Sequence, residues 1–291
     1  MNLVVVTFGD NIENHYQASF SILSFLKSNA LSRIFVVTDR PSFYQYFANR
    51  IELIVLEPQQ LVDWRGPHDF FWRIKMKAIE LAALHCNGDD LLYVDSDTIY
   101  VKGIASIENH LKAGMGVMHE CEGALSQLSG KTHKNMCKTL RGYEYGDLTI
   151  DGQSVMWNAG VIALPGNKAI ETIQSAINVC DAMCETSCRR RLLEQFAFSV
   201  VIEQQLGLQA ATQNIAHYWG NKAHWNDMIR SFFMYSMLTR STLDEDIERF
   251  SPDDFIVYPT VIRERSIKAK LNRLVGKIAT KETRFSISSL S

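Results

Sequence analysis

The stretch of sequence that decides the fold is Leu91-Leu92-Tyr93-Val94-Asp95-Ser96-Asp97. Its first four residues are apolar or aromatic, which is typical of a strand buried on both faces of a sheet. Two carboxylates, Asp95 and Asp97, follow directly. Carboxylate oxygens are the hard ligands that Mg²⁺ and Mn²⁺ prefer in proteins. The stretch therefore predicts a central strand that ends in a divalent-cation site.

Apolar runs and helical stretches alternate on the N-terminal side of this strand. We expect strands at 3–7, 33–38 and 51–56, and helices at 16–28 and 74–85. Strands that alternate with helices predict an α/β fold with a mainly parallel sheet. Ligands of such sheets bind beyond the carboxyl ends of the strands, where residues 7–10 and 95–97 would both lie.

The C-terminal half has a less regular pattern. Residues 120–153 are polar and weakly periodic, so we expect an insertion or loop over the sheet. A strand at 155–164, two helices within 168–205 and a last short strand at 256–258 follow. Because no internal repeat or low-complexity linker is present, we predict one catalytic domain, 1–260, and a C-terminal tail, 261–291.

Composition excludes several classes of protein. The 291 residues are 46% hydrophobic, enough for a sizeable core, and the net charge of -2 does not favour nucleic acid as a partner. The segment 263–284 nevertheless holds eight Lys or Arg and two Glu. Its apolar residues share one helical face, so the tail is expected either to contact an anionic membrane surface or to pack on the domain.

Neither a signal peptide nor an apolar run of roughly 20 residues is evident in the sequence. The six cysteines are too scattered for a disulfide framework. We expect a cytoplasmic protein. The tail is the part of the chain through which it could associate with the inner face of a membrane. Cys180, Cys184 and Cys188 recur every four residues, a spacing better suited to a helix core than to a zinc site.

Two further motifs carry candidate site residues. In Trp157-Asn158-Ala159-Gly160-Val161, Asn158 offers a donor and an acceptor to sugar hydroxyls, and Gly160 allows a ligand to approach the backbone closely. In the aromatic and polar stretch 217–225, His217 is a candidate third metal ligand and Lys222 a candidate contact for a diphosphate.

In this order, the motifs resemble glycosyltransferase family 8 over roughly residues 3–226. The resemblance implies the Rossmann-like GT-A fold, a nucleotide-sugar donor that is usually a UDP-sugar, and Mn²⁺ or Mg²⁺ held by Asp95, Asp97 and His217. It implies a catalytic neighbourhood of Asn158, Glu194 and Gln195. The donor contacts that it implies are Thr7, Phe8, Asn11, Arg73, Ser96, Gly160, Gly220 and Lys222.

Two positions depart from the family pattern. Lys222 lies five rather than six residues after His217 and is followed by Ala223 instead of Pro, and Glu194 stands where an Asp is common. Relatives retain the anomeric configuration, so we expect retention with Gln195 beside the anomeric carbon. Inversion is the alternative, because Glu194 could serve as a base for the acceptor hydroxyl.

The expected function is metal-dependent transfer of a sugar from a nucleotide diphosphate to a hydroxyl group of a glycan or glycolipid. A non-catalytic protein that binds a nucleotide or glycan with the same fold is the alternative. A nucleotidyltransferase or a dehydrogenase is disfavoured, because residues 7–11 form neither a basic, glycine-rich phosphate loop nor a Gly-x-Gly-x-x-Gly motif.

Overall fold

The computed structural model of the protein describes residues 1–28, 30–145 and 148–262. Its strands are β1 (Asn2–Val6), β2 (Arg33–Thr38), β3 (Glu52–Val55), β4 (Leu91–Val94), β5 (Thr98–Tyr100), β6 (Gly116–Met118), β7 (Cys121–Ala124), β8 (Glu144–Tyr145), β9 (Leu148–Thr149), β10 (Val155–Trp157), β11 (Val161–Leu164), β12 (Leu208–Ala210) and β13 (Ile215–His217).

The helices are α1 (Ile12–Ser28), α2 (Pro58–Asp63), α3 (Arg73–His85), α4 (Ile104–Lys112), α5 (Lys131–Leu140), α6 (Gly166–Glu185), α7 (Leu193–Leu206), α8 (Lys222–Thr239), α9 (Leu243–Arg249) and α10 (Asp253–Ile256). A 3₁₀ segment, Pro41–Arg50, links β2 to β3. None of the helices within the described ranges is long and apolar enough to cross a membrane.

Seven strands form one mixed sheet in the order β12-β6-β11-β4-β1-β2-β3. Six of these strands run in the same direction, and β11 is antiparallel to both of its neighbours, β4 and β6. The expected α/β fold with a mainly parallel mixed sheet is therefore confirmed. β4 is central in this sheet, so its carboxyl end lies at the middle of one sheet edge.

Helices cover both faces of the sheet because the strands are apolar on both sides. Along β1, Val4 and Val6 join the core beneath α3, α6 and α7, whereas Leu3 and Val5 join the core beneath α1 and α4. All four side chains are buried. This alternation follows from the period of two in a strand, and it explains why β1 and β4 read as continuous apolar runs.

The N-terminal half agrees with the sequence prediction to within a few residues, and β2 and β4 have the expected bounds. The region 120–153 is not simply a loop, because it contains β7, α5 and the antiparallel strands β8 and β9. The expected strand at 155–164 is two strands. β10 pairs with β7 in a separate small sheet, while β11 pairs with β4 and β6.

The C-terminal part of the described chain packs on α1. Phe20 of α1 lies among Trp225, Ile229 and Phe232 of α8 and Phe250 in a third buried cluster. The short strand expected at 256–258 is wrong: the chain forms α10 there and then turns. The predicted tail, 261–291, lies outside the described residues apart from its first two positions.

All six cysteines are free thiols, and Cys180, Cys184 and Cys188 are buried. Cys180 and Cys184 lie on α6, which ends at Glu185 before Cys188 is reached. The interpretation of these residues as core cysteines is confirmed.

Candidate active site

The sheet brings Asp95 and the 158–160 segment together. Since β4 and β11 run in opposite directions, the residues after β4 meet the residues before β11 at the same edge. The backbone N–H of Asp95 donates to the carbonyl of Gly160 at 2.8 Å. The close pairing of two antiparallel strands thus makes one site of two motifs that are about 60 positions apart in sequence.

A second strand pair adds His217. β13 pairs antiparallel with β5, with His217 opposite Thr98, and the N–H of Tyr218 donates to the carbonyl of Asp97 at 3.0 Å. Nε2 of His217 lies 3.4 Å from Oδ1 of Asp97 and 3.8 Å from Oδ2 of Asp95. The three expected metal ligands are therefore neighbours.

The donor set fits a divalent cation. One ligand atom from each of Asp95, Asp97 and His217 lies within 4.8 Å of the other two. Two carboxylates and one imidazole suit Mn²⁺ or Mg²⁺, since oxygen ligands dominate the set. These three residues could hold the cation that the sequence motifs imply.

Asn158 sets the orientation of the His217 ring. Oδ1 of Asn158 accepts from the backbone N–H of Gly160 at 3.0 Å and lies 3.0 Å from Nδ1 of His217. Because a backbone N–H can only donate, the shared atom is the amide oxygen, and Nδ1 must carry a proton to bond with it. Nε2 is consequently left to face the two carboxylates, as a metal-binding imidazole requires.

Gly160 is needed because the ring of His217 lies against its backbone. A Cβ atom at this position would lie 2.1 Å from Cε1 of His217. The close approach expected at Gly160 is therefore made by a protein side chain, and Gly160 also lines the cavity described below.

Behind His217 lies a second buried imidazole, that of His119. The two rings meet edge to face at 5.2 Å. Burial, followed by the charge of His217, lowers the pKa of His119 to about 4. His119 is thus a neutral packing partner of the candidate ligand at pH 7.

Two lysines hold the outer oxygens of the carboxylates. Nζ of Lys222 lies 2.9 Å from Oδ2 of Asp97, and Nζ of Lys75 lies 3.0 Å from Oδ1 of Asp95. Lys75 also donates to the carbonyl of Ala159 at 2.8 Å, and the hydroxyl of Tyr93 bonds to Asp95. The oxygens that remain, Oδ1 of Asp97 and Oδ2 of Asp95, are those nearest to His217.

These contacts keep Asp97 ionised. Burial alone would raise the pKa of this carboxyl group, but the charge and hydrogen bond that His217 supplies when Nε2 is also protonated, together with those of Lys222, outweigh burial and lower it well below the usual range. Asp97 therefore presents a carboxylate to the site at all physiological pH values.

Two cavities meet at this cluster. Cavity A, of about 190 Å³, is lined by Val6, Thr7, Phe8, Asn14, Phe71, Trp72, Lys75, Tyr93, Asp95, Ser96, Asp97 and Lys222. Cavity B, of about 560 Å³, is lined by Trp72, Lys75, Asp95, Asp97, Glu122, Gly130, Lys131, Thr132, His133, Asn158, Ala159, Gly160, Arg191, Leu192, Glu194, Gln195, His217, Trp219 and Lys222. The residues common to both are Trp72, Lys75, Asp95, Asp97 and Lys222.

Cavity B contains the expected catalytic residues. Nε2 of Gln195 donates to Oε1 of Glu122 at 3.3 Å, and the same carboxylate oxygen lies 3.4 Å from Nδ2 of Asn158. Glu194 is buried beside them, and burial raises the pKa of its carboxyl group. Its Oε2 has no hydrogen-bond partner within the described residues. This wall therefore offers both an amide and carboxylates to a ligand.

Some of the expected donor contacts line these cavities and others do not. Thr7, Phe8 and Ser96 line cavity A, and Lys222 lines both cavities. Asn11 is exposed at the start of α1, where its Oδ1 accepts from the N–H of Glu13 at 3.1 Å. Asn14, one turn further on, is the asparagine that lines cavity A.

Arg73 and Gly220 have other contacts. Arg73 forms a two-pronged ion pair with Asp181 of α6, at 2.7 and 2.9 Å, and donates to the carbonyl of Trp64. Gly220 forms a bridge with Val261, and a Cβ atom there would lie 2.7 Å from Cγ1 of Val261. The structure does not bring either residue to the carboxylates.

Several lining residues were missed at the level of sequence. Lys75 follows Arg73 by two positions, and its place between Ile74 and Met76, both buried in α3, was the available signal. Glu122 and Arg191 gave no such signal, because they come from an irregular region and from an arginine run typical of a solvated turn. Trp219 belongs to the aromatic and polar stretch 217–225, of which only His217, Gly220 and Lys222 were expected to contact ligands.

The chain is similar to solved glycosyltransferase structures. Galactosyltransferase LgtC with donor and acceptor sugar analogs is 12% identical, with 72% of this chain and 73% of that chain covered and a TM-score of 0.45. An active-site mutant of LgtC is 11% identical, with 72% of each chain covered and a TM-score of 0.47. Mouse xyloside xylosyltransferase 1 is 10% identical, with 72% of this chain and 85% of that chain covered and a TM-score of 0.46. No protein-family model and no curated protein matches the sequence.

Proposed function

We propose that this protein is a metal-dependent glycosyltransferase that moves a sugar from a nucleotide diphosphate, with UDP the expected nucleotide, to a hydroxyl group of a saccharide or glycolipid. One observation carries the proposal. Cavities A and B meet at the acidic cluster and its two lysines. A donor whose diphosphate lies at this junction would have its nucleoside in one cavity and its sugar in the other.

Cavity A suits the nucleoside. Thr7 and Ser96 offer hydroxyl groups, and the rings of Phe8 and Phe71, 5.5 Å apart, offer apolar surface to a base or ribose. Ligand sites of this type combine an apolar lining with a few polar groups that fix orientation.

The junction suits the diphosphate. Asp95, Asp97 and His217 would hold Mn²⁺ or Mg²⁺, which supplies Lewis-acid stabilisation of the charge on the departing nucleotide. Lys222 is 46% exposed at its side chain. Its long flexible stem allows Nζ to leave Oδ2 of Asp97 and meet a phosphate oxygen as a point charge.

Cavity B suits the transferred sugar and the acceptor. Gln195 presents an amide for sugar hydroxyls, and Glu122 and Glu194 supply carboxylates that can accept a proton from the acceptor hydroxyl. We propose retention of the anomeric configuration with Gln195 beside the anomeric carbon. Inversion would instead require one of these carboxylates to act as the base.

The test is the release of nucleoside diphosphate from a panel of UDP-, GDP- and ADP-sugars, with Mn²⁺, with Mg²⁺ and with EDTA. We expect release from at least one UDP-sugar that requires a divalent cation. The anomeric configuration of the product, read by proton NMR, then decides between retention and inversion. Binding of UDP without release from any donor would instead support the alternative of a non-catalytic binding protein.

A further inference from the structure

Helix α5 carries a stripe of positive charge away from cavity B. Its first turn, with Lys131 and His133, lines that cavity. Lys134, Lys138 and Arg141 follow at spacings of three, four and three residues. At 100° per residue Lys131, Lys134 and Lys138 lie on one side of the helix and, at 1.5 Å per residue, span about 10 Å; Arg141 follows directly after the last residue of the helix.

The far end of the stripe lines another cavity. Cavity C, of about 440 Å³, is lined by Lys134, Lys138 and Arg141 together with Leu125, Ser126, Leu128 and Cys137. All three cations are exposed. Their charged groups are therefore accessible to a ligand that runs from cavity B along the helix.

The lysines of the stripe differ from His133 in the first turn of α5, whose Nε2 lies 4.0 Å from Oε2 of Glu122. Within the described ranges, Lys131, Lys134, Lys138 and Arg191 form no ion pair, whereas Lys75 and Lys222 both do. The sequence of α5 contains no Asp or Glu. Like charges at this spacing on a helix repel one another, so an anion that lies between them would relieve an unfavourable interaction.

The loop before α7 adds to the same surface. The N–H of Arg189 donates to Oδ1 of Asn135 on α5 at 2.9 Å, which fixes the loop against the helix. Arg191, two residues further on, lines cavity B. Cations from two elements therefore line a part of cavity B that cavity A does not share.

We propose that the acceptor is an anionic saccharide whose phosphate or carboxylate groups lie along α5 while its terminal sugar enters cavity B. This inference rests on the proposed glycosyltransferase function and specifies its acceptor class. The donor's own charge does not require these residues, because its diphosphate would lie at the junction of cavities A and B. The continuity of the stripe with cavity B favours a substrate over a separate anionic surface.

The experiment measures binding of fluorescent pentamannosyl phosphate and its dephosphorylated form by fluorescence anisotropy, with UDP and Mn²⁺ present. The full chain is compared with the double variant Lys134→Gln, Lys138→Gln. Lys112→Gln, Lys168→Gln is the matched control, since it removes two exposed lysines from α4 and α6. Trigalacturonate as competitor shows whether carboxylates replace phosphates.

We expect the wild type to prefer the phosphorylated saccharide, and the α5 variant to lose about tenfold in affinity while the control variant does not. The preference should weaken with salt, because these charges are exposed. Equal binding of both saccharides, or equal losses in both variants, would overturn the inference. So would binding to phosphatidylserine vesicles that depends on Lys134 and Lys138 without any preference between the saccharides.

Different results would contradict the proposed transferase function and the proposed acceptor class. A wild type that binds neither UDP nor any nucleotide sugar contradicts the transferase proposal, whatever the saccharides do. A wild type that binds UDP and transfers sugar equally well to neutral and phosphorylated acceptors contradicts the acceptor inference alone.

Discussion

The imidazole Nδ1 of His217 lies 3.0 Å from Oδ1 of Asn158, and this contact directs Nε2 toward Asp97 and Asp95. Asn158 therefore acts on the candidate metal site through a ligand rather than at a distance. Residues that orient a metal-binding histidine are part of the site's function, because they fix both the ring and its tautomer.

Asn158→Ala should weaken Mn²⁺ binding by about 10- to 100-fold, since the ring of His217 loses the acceptor that fixes Nδ1–H. The measurement is a titration in which free Mn²⁺ is followed by electron paramagnetic resonance. Asn214→Ala is the control, because Asn214 bonds to the carbonyls of Lys102 and Gly103 away from the cluster. Identical Mn²⁺ affinities for the wild type and Asn158→Ala would refute the positioning role.

Gly160→Ala should both destabilise the protein and weaken Mn²⁺ binding. The new methyl group would overlap Cε1 of His217, so the ring must move, and overpacking of this kind costs about 1–3 kcal/mol. Thermal unfolding and the same Mn²⁺ titration measure the two effects. Gly152→Ala is the matched control, because its Cβ would meet Ser126 at 3.4 Å, an ordinary contact. A wild-type Mn²⁺ affinity in Gly160→Ala would show that the ring position is not critical.

The central strand and its carboxylates could be predicted because their signal is local: four buried residues followed by Asp95 and Asp97. Which of Arg73 and Lys75 faces the candidate site could not be predicted from the sequence. The two residues are about 200° apart around α3, so only one can face the site, and the facing side depends on where α6 packs. Asp181 of α6 binds Arg73 and leaves Lys75 to Asp95.

Helix α5 and the division of 155–164 were missed for related reasons. Only Met136 and Leu140 of α5 are buried, so the helix has too few apolar residues to show a period. In 155–164, apolar residues continue across the break at Asn158, and nothing in the pattern indicates that β10 and β11 pair with different partners. The small buried face of α5 explains the first miss, and strand pairing, which a single sequence does not reveal, explains the second.

Asp246→Asn tests a buried charge that joins α8, α9 and the 3₁₀ segment. Asp246 accepts from Tyr46 at 2.5 Å and from Ser236, and it pairs with Arg249 at 2.6 Å. Burial opposes its ionisation, but these hydrogen bonds prevail and lower the pKa of its carboxyl group. We expect the variant to lose about 3 kcal/mol of unfolding free energy at pH 7, since a buried pair is broken.

The pH dependence of that loss has a defined sign. A carboxyl group with a lowered pKa in the folded state stabilises the protein above its unfolded pKa of about 3.9, and the stabilisation is lost as the pH falls toward the folded value. We therefore expect the wild type and Asp246→Asn, unfolded with urea at pH 7, 5 and 3.5, to differ in unfolding free energy by the same amount at pH 7 and 5. The difference should shrink below about pH 4. Asp244→Asn, exposed on the same helix, should change little. A difference that grows as the pH falls would contradict the assignment.

Asp97→Asn tests the proposed metal site with the least change in shape. The amide keeps the size of the side chain but loses the charge that attracts both a cation and Lys222. We expect the metal-dependent release of UDP to fall by about 100-fold or more, the size of effect seen when one group that stabilises developing charge is removed. Thermal unfolding should fall, because a carboxyl group whose pKa is lowered in the folded state stabilises the protein at pH 7, so release is compared at a temperature at which circular dichroism shows both proteins to be folded. Asp90→Asn, at the opposite end of β4, is the control for loss of a carboxylate, and it should retain wild-type release. Metal-dependent turnover at the wild-type rate in Asp97→Asn would mean that the chemistry occurs elsewhere.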